Sequence, residues 1–321
     1  MNTTNVQLTE TVVNAGIVKV NEIRVSLREP GFTLASNSIR WKAKTATTFT
    51  LRVVTANGQS TSSVSLSANA WSSVTFANQD CEIFISPKAN ISEFQLLDNV
   101  SEFVTIDWGT LIYSAITKLI TYKSPIDVTM LPRLSSITQW NSSNSPQEFD
   151  FDSFLQMSSL TNLNIHYSKV FGNTEKISLL NNLTVITMGG TTNMNCSLSD
   201  FAQCTGLQSL TCSDSQGVSG TIEDLTPLAA SLTTLQLNNS RNVTGVLASL
   251  RLLHLVTTCS LGFTGVSGKL SDLNGMKQSD TLTLRASAYM TNDINSVALS
   301  NNSFYTITFN SSGNVSNVTA A

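Results

Sequence analysis

A spaced pattern of apolar residues recurs through the C-terminal two-thirds of the chain. The motif is apolar-x-x-apolar-x-apolar, as in Leu160/Leu163/Ile165 and Leu232/Leu235/Leu237, and its first positions fall at 134, 160, 183, 207, 232, 256, 279 and 304. Successive copies are 26, 23, 24, 25, 24, 23 and 25 residues apart, although Ser279 fills the first position of the seventh copy. A motif held to this period over eight copies predicts a solenoid with one strand in each coil.

Three further features keep the same period. A hydroxyl residue stands three positions past the last apolar slot of each copy: Ser142, Ser168, Thr191, Ser215, Ser240, Thr264, Ser287 and Ser312. The phrase Val-Ser/Thr-Gly recurs at 218, 243 and 266, where glycine permits a tight turn before a second short strand. Apolar residues at three-residue spacing upstream of each motif favour short 3₁₀ turns.

Together these columns resemble the plant-type consensus of the leucine-rich-repeat family over about residues 126–315. In that family an asparagine bonds the backbone where the coil turns, and here a stacked ladder of Ser and Thr hydroxyls is expected to replace it. Ile91/Phe94/Leu96 and Ile116/Leu119 also fit the motif, so about eight to ten repeats of 23–26 residues are expected. The step from 116 to 134 is only 18 residues, which predicts an irregular junction over 100–130.

The first hundred residues follow a different pattern. Apolar and polar residues alternate with period two in 38–42, 49–53 and 63–66, and Asn57-Gly58 marks a hairpin turn. The fold class predicted for the whole chain is therefore mostly β, with a small N-terminal β-sandwich followed by the repeats. The expected domains are a flexible or docking arm (1–14), a sandwich for docking or oligomerisation (15–100), a junction (101–125) and the solenoid (126–321).

Composition narrows the classes of function. Only 12% of the residues are charged and the net charge is −3, so nucleic acid is not an expected partner. No apolar stretch approaches the length of about 18 residues that spans a bilayer, so no membrane insertion is expected. Residues 1–5 contain neither a basic nor an apolar region, so no secretory signal is expected.

The residues that usually carry catalysis or bind metals are scattered. The two histidines, His166 and His254, lie in different coils, and no triad spacing accompanies them. The five cysteines show no zinc-site spacing and are expected to be buried free thiols. Asp200, Asp224 and Asp272 each precede an apolar slot, which favours helix capping over a calcium column. We therefore expect no catalytic residues, no cofactor and no metal site.

The outward strand positions form the candidate binding surface, because the resemblance implies binding on this face. They are flat, rich in hydroxyls and nearly uncharged, a composition that the β propensity of threonine also explains. Trp140 and Tyr167 are the only aromatic residues expected nearby, which would be few for glycan recognition. The predicted binding residues are Trp140, Asn162, Asn164, His166, Thr187, Ser209, Thr211, Ser213, Thr234, Gln236, Asn238, Thr258, Ser260, Thr281, Thr283, Arg285, Thr306 and Thr308.

These features favour a structural or attachment protein over an enzyme. A Ser/Thr/Asn-rich chain with a small β domain and a repetitive distal domain resembles virion fibre and decoration proteins of tailed phages, including crAss-like phages. That resemblance implies docking to other virion proteins through 1–100, display of the solenoid to a host surface protein or glycan, and a homo-oligomer, most simply a trimer. The alternative is a bacterial cell-surface adhesin or a protein-interaction scaffold of the same repeat class.

Overall fold

The chain folds into two compact units, Met1–Gln147 and Glu148–Ala321. The computed structural model describes residues 10–13, 16–19, 21–27, 39–74, 80–96, 104–112, 114–122, 125–191, 193–276, 281–294, 298–300, 303–310, 312 and 314–320. The domain limits predicted above stay predictions, and residues 1–9 and 14 of the predicted arm lie outside the described residues.

The first unit contains twelve described strands. They are β1 (Glu10–Val13), β2 (Gly16–Lys19), β3 (Ile23–Leu27), β4 (Ile39–Ala43), β5 (Thr47–Thr55), β6 (Gly58–Leu66), β7 (Trp71–Val74), β8 (Cys81–Ser86), β9 (Ile91–Leu96), β10 (Val104–Ile106), β11 (Lys118–Ile120) and β12 (Gln139–Asn141). Three 3₁₀ turns lie among them, at Lys88–Asn90, Trp108–Leu111 and Val128–Arg133.

These strands form an antiparallel hairpin and two larger sheets. β1 pairs with β2. An antiparallel sheet has the order β10-β3-β8-β5-β6, and a mixed sheet has the order β12-β11-β9-β4-β7. The two larger sheets meet in an apolar layer, in which Trp41 of β4 lies edge-on to Phe49 of β5 with ring centroids 6.1 Å apart. Both rings are buried, as are Ile23, Val25 and Ile83 on the antiparallel sheet.

The mixed sheet already contains the first coils of the repeat. β9, β11 and β12 are parallel, and their central residues Phe94, Leu119 and Trp140 are paired neighbours in the register. The early start suggested by Ile91/Phe94/Leu96 and Ile116/Leu119 is therefore confirmed. The register predicted for the copy at 134 is wrong by three residues, because Ile137, rather than Leu134, occupies the first slot. The step from 116 is then 21 residues, long enough for a short coil.

The second unit is a two-sided solenoid, and its front strands carry the repeated motif. They are β14 (Asn162–Asn164), β16 (Val185–Thr187), β18 (Ser209–Thr211), β20 (Thr234–Gln236), β22 (Thr258–Ser260) and β24 (Thr281–Arg285), all parallel, followed by the antiparallel β26 (Phe304–Phe309) and β27 (Val315–Ala320). We call this the front sheet. Its inward residues Leu163, Ile186, Leu210 and Leu235 are fully buried.

Shorter strands close each coil on the opposite side. They are β13 (Phe149–Asp150), β15 (Val170–Asn173), β17 (Asn193–Ser197), β19 (Val218–Thr221), β21 (Asn242–Thr244), β23 (Ser267–Lys269) and β25 (Tyr289–Thr291). The 3₁₀ turns between the two sides are Phe151–Phe154, Ile177–Leu179, Leu198–Gln203, Ile222–Leu228, Leu247–Leu252 and Leu270–Leu273. One front strand per coil, stacked in parallel at a period of 23–25 residues around a leucine-rich core, is the arrangement of a leucine-rich-repeat solenoid.

The predicted hydroxyl ladder is confirmed in the second unit. Ser168, Thr191, Ser215, Ser240, Thr264 and Ser287 are each at most 3% exposed. The Thr191 and Thr264 hydroxyls donate to carbonyl oxygens of their own coil, at 2.7 and 2.6 Å. Ser240 Oγ donates to the Cys212 carbonyl of the preceding coil at 2.9 Å. These bonds satisfy backbone groups at the turn, which is the role that asparagine has in the consensus.

Two members assigned to this ladder from the sequence do not belong to it. Ser142 is buried in an inward strand position, and Ser145 occupies the turn position instead, with its N–H bonded to the Ser142 carbonyl. Ser312 is exposed, because the segment that contains it connects the antiparallel β26 and β27 rather than closing a coil.

The aspartates of the 3₁₀ turns are caps, as predicted. Asp200, Asp224 and Asp272 each accept a hydrogen bond from the backbone N–H three residues earlier, at 3.2, 2.7 and 2.8 Å. Each carboxylate thus satisfies an N–H group that the first turn leaves without a backbone partner. The five cysteines are buried free thiols, also as predicted, and burial raises the pKa of Cys204 to about 11.

The last two predicted copies differ from the structure. Leu284, rather than Leu282, pairs with Cys259, so the register of the seventh copy is shifted by two residues. The eighth copy is not a coil, because β26 runs antiparallel to β24 and forms a hairpin with β27. Tyr305, Ile307 and Phe309 point into the core, and Phe304, which the sequence assigned to an inward slot, is 41% exposed.

Candidate functional site

The outward residues of the front sheet lie in straight columns because neighbouring strands pair in register. The first column is Asn162, Val185, Ser209, Thr234, Thr258 and Thr283. The second is Asn164, Thr187, Thr211, Gln236, Ser260 and Arg285. A third set follows the strand ends: His166, Gly189, Ser213, Asn238 and Gly262. Neighbours within a column are about one strand spacing apart, roughly 4.8 Å.

Part of this surface is concave. The front hollow, as we call it, has a volume of about 450 Å³. Its lining comes from the second column, the strand ends and the first strand of the terminal hairpin: His166, Thr187, Thr211, Ser213, Asp214, Gln236, Asn238, Thr258, Ser260, Arg285 and Phe304. The hollow therefore runs across several consecutive coils, with His166 in its first coil and Arg285 and Phe304 in its last strands.

Left-handed backbone shapes one rim of the hollow. The residue before five of the six ladder hydroxyls has a positive φ: Tyr167, Gly190, Asp214, Asn239 and Phe263, at 52°, 72°, 60°, 61° and 56°. Bulky residues rarely adopt this conformation, yet Tyr167 and Phe263 do so and remain 53% and 41% exposed. The fold thus holds two aromatic rings at the surface beside the hollow.

The Gly189-Gly190 pair makes room for the aromatic pair of the preceding coil. A Cβ on Gly190 would lie 2.1 Å from Tyr167 Cδ1, and a Cβ on Gly189 would lie 2.8 Å from His166 Nδ1. The His166 and Tyr167 rings are in contact, with centroids 4.1 Å apart. These two glycines consequently fix both rings against the next coil.

Two buried polar atoms of the hollow have no hydrogen-bond partner within the part of the chain that the structure describes. They are His166 Nδ1 and Asn238 Oδ1, and Asn238 is only 6% exposed. Buried polar atoms are almost always paired. These two atoms are therefore the unusual polar groups of the lining.

Electrostatics in the hollow are weak and local. Asp214 and Arg285 are the only charged residues in the lining, and the Arg285 guanidinium lies 4.9 Å from the centroid of the Phe304 ring. Burial lowers the pKa of His166 below its ordinary value, and the negative charge of Asp214 opposes this only in part. His166 is therefore predominantly neutral at pH 7.

The structure brings together half of the predicted binding residues. His166, Thr187, Thr211, Ser213, Gln236, Asn238, Thr258, Ser260 and Arg285 line the hollow. The remaining predicted residues of the second unit do not: Asn162, Asn164, Ser209, Thr234, Thr281, Thr283, Thr306 and Thr308. The predicted columns are corrected at their end, where Thr283 pairs with Thr258 and Arg285 with Ser260.

Trp140 is wrongly assigned to the exposed face. It is 1% exposed and fills the inward position paired with Leu119. Its ring stacks on Trp108 with centroids 5.6 Å apart. The three-residue error in the register of that copy turned an inward residue outward in the prediction.

Sequence reasoning missed Asp214 and Phe304. Asp214 carries a usable signal, because Asp and Asn are the non-glycine residues that best tolerate the left-handed region. Phe304 carries no such signal, because its outward position depends on the antiparallel direction of β26.

Two features are absent from the described residues. No helix there is long and apolar enough to cross a membrane. Within the same ranges, no three His, Cys, Asp or Glu side chains are grouped closely enough to hold a metal ion.

Comparisons with known proteins give similar structures only. No protein-family model matches the chain, and no curated protein matches it significantly. An internalin C2 of Listeria monocytogenes shares 21% identity at a TM-score of 0.48, over 63% of this chain and 81% of that one. A plant peptide hormone receptor shares 19% identity at 0.45, over 57% of this chain and 29% of that one. A leucine-rich-repeat protein of Leptospira interrogans shares 13% sequence identity at a TM-score of 0.36, over 53% of this chain and 47% of that one. The coil geometry, rather than these likenesses, identifies the fold.

Proposed function

We propose that this chain is a non-enzymatic binding protein, and that its front hollow holds an extended segment of a protein partner. The observation that carries the proposal is the pair of unpartnered buried atoms, His166 Nδ1 and Asn238 Oδ1, in a concave surface that crosses several coils. An extended peptide presents N–H and C=O groups at regular intervals, and these can pair with a row of amide and hydroxyl side chains.

The chemistry of the lining suits a peptide of low charge. Gln236 and Asn238 offer amides that match peptide groups, and Thr187, Thr211 and Ser260 offer hydroxyls on three different coils. A neutral imidazole at His166 can both donate and accept a hydrogen bond. At the far end, the Arg285 guanidinium is positioned to take one carboxylate, either an acidic side chain or a C-terminus.

A glycan is the second candidate ligand, and exposed aromatic rings favour it. Tyr167 and Phe263 stand beside the hollow and are 53% and 41% exposed. Rings of this kind provide flat apolar surfaces against which sugar rings pack. The sequence predicted Trp140 and Tyr167 beside this face, but Trp140 is buried and Phe263 is the second exposed ring.

The narrower biological role stays a prediction. Attachment from a phage virion, docking to other virion proteins through 1–100 and a trimeric state form one version. A bacterial cell-surface adhesin or an interaction scaffold is the other version. This second version requires fewer assumptions, because it depends only on the binding surface described here.

Selection from a random linear-peptide display library on the immobilised full chain tests the proposed function. We expect enriched peptides whose affinity, measured by calorimetry, falls roughly tenfold in Asn238→Leu and in Arg285→Gln, which corresponds to the loss of one good polar contact. Asn193→Leu, an exposed asparagine on β17, is the matched control and should leave affinity unchanged.

Two other outcomes would count against a peptide ligand. Glycan-array binding that Asn238→Leu weakens, without any enriched peptide, would replace the first candidate by the second. Enriched peptides that bind Asn238→Leu and Arg285→Gln as well as the wild type would show that the front hollow is not the binding site.

A further inference from the structure

The first unit presents a cluster of cations on the outward face of its mixed sheet. Paired positions place Trp71 beside Lys42, Lys42 beside Glu93, and Glu93 beside Lys118, with Arg40 on the same strand as Lys42. We call these five residues the basic face. Alternate residues of a strand point to the same side, so all five side chains share one surface.

The basic face carries a surplus of positive charge. Glu93 accepts from Lys42 at 2.8 Å and lies 3.6 Å from Lys118, so one carboxylate serves two ammonium groups. Three cations against one anion leave a net charge of +2 in a chain whose total is −3. Local charge of the opposite sign to the whole molecule suits an anionic ligand.

Arg40 retains unused hydrogen-bonding capacity. Its Nε donates to Gln95 Oε1 at 2.7 Å, and its Cζ lies 4.7 Å from the centroid of the Trp71 ring. Among the described residues the two terminal nitrogens have no hydrogen-bond partner. A guanidinium held at Nε and stacked on an indole is preorganised to bind a carboxylate through its free end.

Trp71 provides an apolar surface next to these cations. The side chain lies on β7, the last strand of the mixed sheet, and remains 40% exposed although Arg40 and Lys42 both contact its ring. The indole is large and rigid, and its exposure costs free energy that a ligand ring packed against it would recover.

We propose that the basic face binds an acidic polysaccharide, with a sugar ring on Trp71 and its carboxylate on Arg40. Lys42 and Lys118 are two strand spacings apart, roughly 10 Å, so a second carboxylate farther along the polymer can reach Lys118. An acidic peptide would use the cations but not the indole, and the pairing of both features on one flat surface therefore favours the polysaccharide.

The experiment measures binding of the full chain to three immobilised polymers by biolayer interferometry at low and physiological salt. The probes are polygalacturonate, neutral dextran and poly-L-glutamate. We expect binding to polygalacturonate that weakens with salt, no binding to dextran, and weaker binding to poly-L-glutamate. Arg40→Gln and Trp71→Ala should each lower polygalacturonate affinity roughly tenfold, and Trp71→Phe should retain most of it.

Arg241→Gln is the matched control, because it removes the same charge from an exposed arginine of the second unit and should change affinity less than about twofold. Thermal midpoints by circular dichroism establish that each variant is folded. Equal binding of poly-L-glutamate and polygalacturonate, unchanged in Trp71→Ala, would overturn the polysaccharide assignment in favour of an acidic peptide. No binding to either acidic polymer at low salt would overturn the site altogether.

Discussion

One buried hydroxyl closes each turn of the second unit, and Ser240 shows what such a residue contributes. Its Oγ is fully buried and donates to the Cys212 carbonyl of the preceding coil. Ser240→Ala removes the donor and is expected to lower the free energy of unfolding by about 1 to 2 kcal/mol. Urea unfolding measures this difference. Ser219→Ala, at an exposed serine, should change it by less than about 0.5 kcal/mol; equal effects would show that the ladder bond contributes nothing.

His166 makes stability depend on pH. Its pKa in the folded chain is below the ordinary value of 6.5, mainly because it is buried. The unfolded chain therefore takes up a proton first, so stability is complete above about pH 6.5 and falls as pH is lowered through the folded pKa. Urea midpoints at pH 7.5 and pH 5.0 should differ less in His166→Gln than in the wild type.

His254→Gln is the control for the loss of an imidazole as such, since His254 is the only other histidine. The pH prediction is wrong if His166→Gln and the wild type lose the same stability between the two pH values, or if His254→Gln reduces that loss equally.

Residue-level prediction worked where position within the coil decides the environment. Six members of the hydroxyl ladder and the three capping aspartates follow from spacing within the repeat. The shape of the hollow does not, because it depends on backbone conformation at Tyr167 and Gly190 and on which side chains reach across coils. Neither the backbone conformation nor the reach of these side chains produces a periodic pattern in the sequence.

Short 3₁₀ turns, rather than long helices, connect the two sides of each coil, and their first N–H groups need caps. In the turn Ile222–Leu228 the cap is Asp224, whose carboxylate accepts from Thr221 N at 2.7 Å. Asp224→Ala should lower the free energy of unfolding by about 1 kcal/mol, and Asp224→Asn, which keeps an acceptor, by less. Chemical denaturation should show no comparable loss for Glu175→Ala, an exposed carboxylate without such a bond. A loss of equal size in that control would mean that surface charge, not capping, is responsible.

At the scale of elements, errors in register came from the two-residue period of strands. Leu282 and Leu284 are both fully buried, and a strand shifted by two residues keeps the same face inward. The apolar pattern therefore cannot separate Leu282 from Leu284 as the partner of Cys259. The alternation of apolar and polar residues in 304–309 likewise cannot show whether the strand is parallel or antiparallel to its neighbour, because both directions give the same alternation.

Within the second unit, each coil is stabilised by contacts with the neighbouring coils. Polar contacts join neighbouring coils on the back and at the turns: Lys176 with Asp152, Thr174 with Asp200, Ser249 with Glu223, and Ser271 with Asp293. Such arrays are stabilised mainly by nearest-neighbour interfaces. The end of the array is consequently its weakest part, unless something covers the last coil.

The hairpin of β26 and β27 provides that cover. It continues the front sheet beyond β24 with antiparallel strands, and Ile307 pairs with Leu282 while both are fully buried. Val315 N also donates to Asn274 Oδ1 at 2.8 Å, which ties the second strand of the hairpin to the turn after Leu270–Leu273. Without the hairpin, β24 would be an open edge over an exposed core, a known route to aggregation.

Ile307→Ala should therefore destabilise the second unit by about 2 to 5 kcal/mol, and deletion of 303–321 should yield soluble aggregates. Urea unfolding and light scattering measure the two effects. Thr308→Ala, on the same strand but facing outward, is the control and should remain monodisperse with a shift below about 0.5 kcal/mol. If the truncated chain keeps both the wild-type mass and the wild-type midpoint, the hairpin is an appendage and the solenoid ends securely at β24.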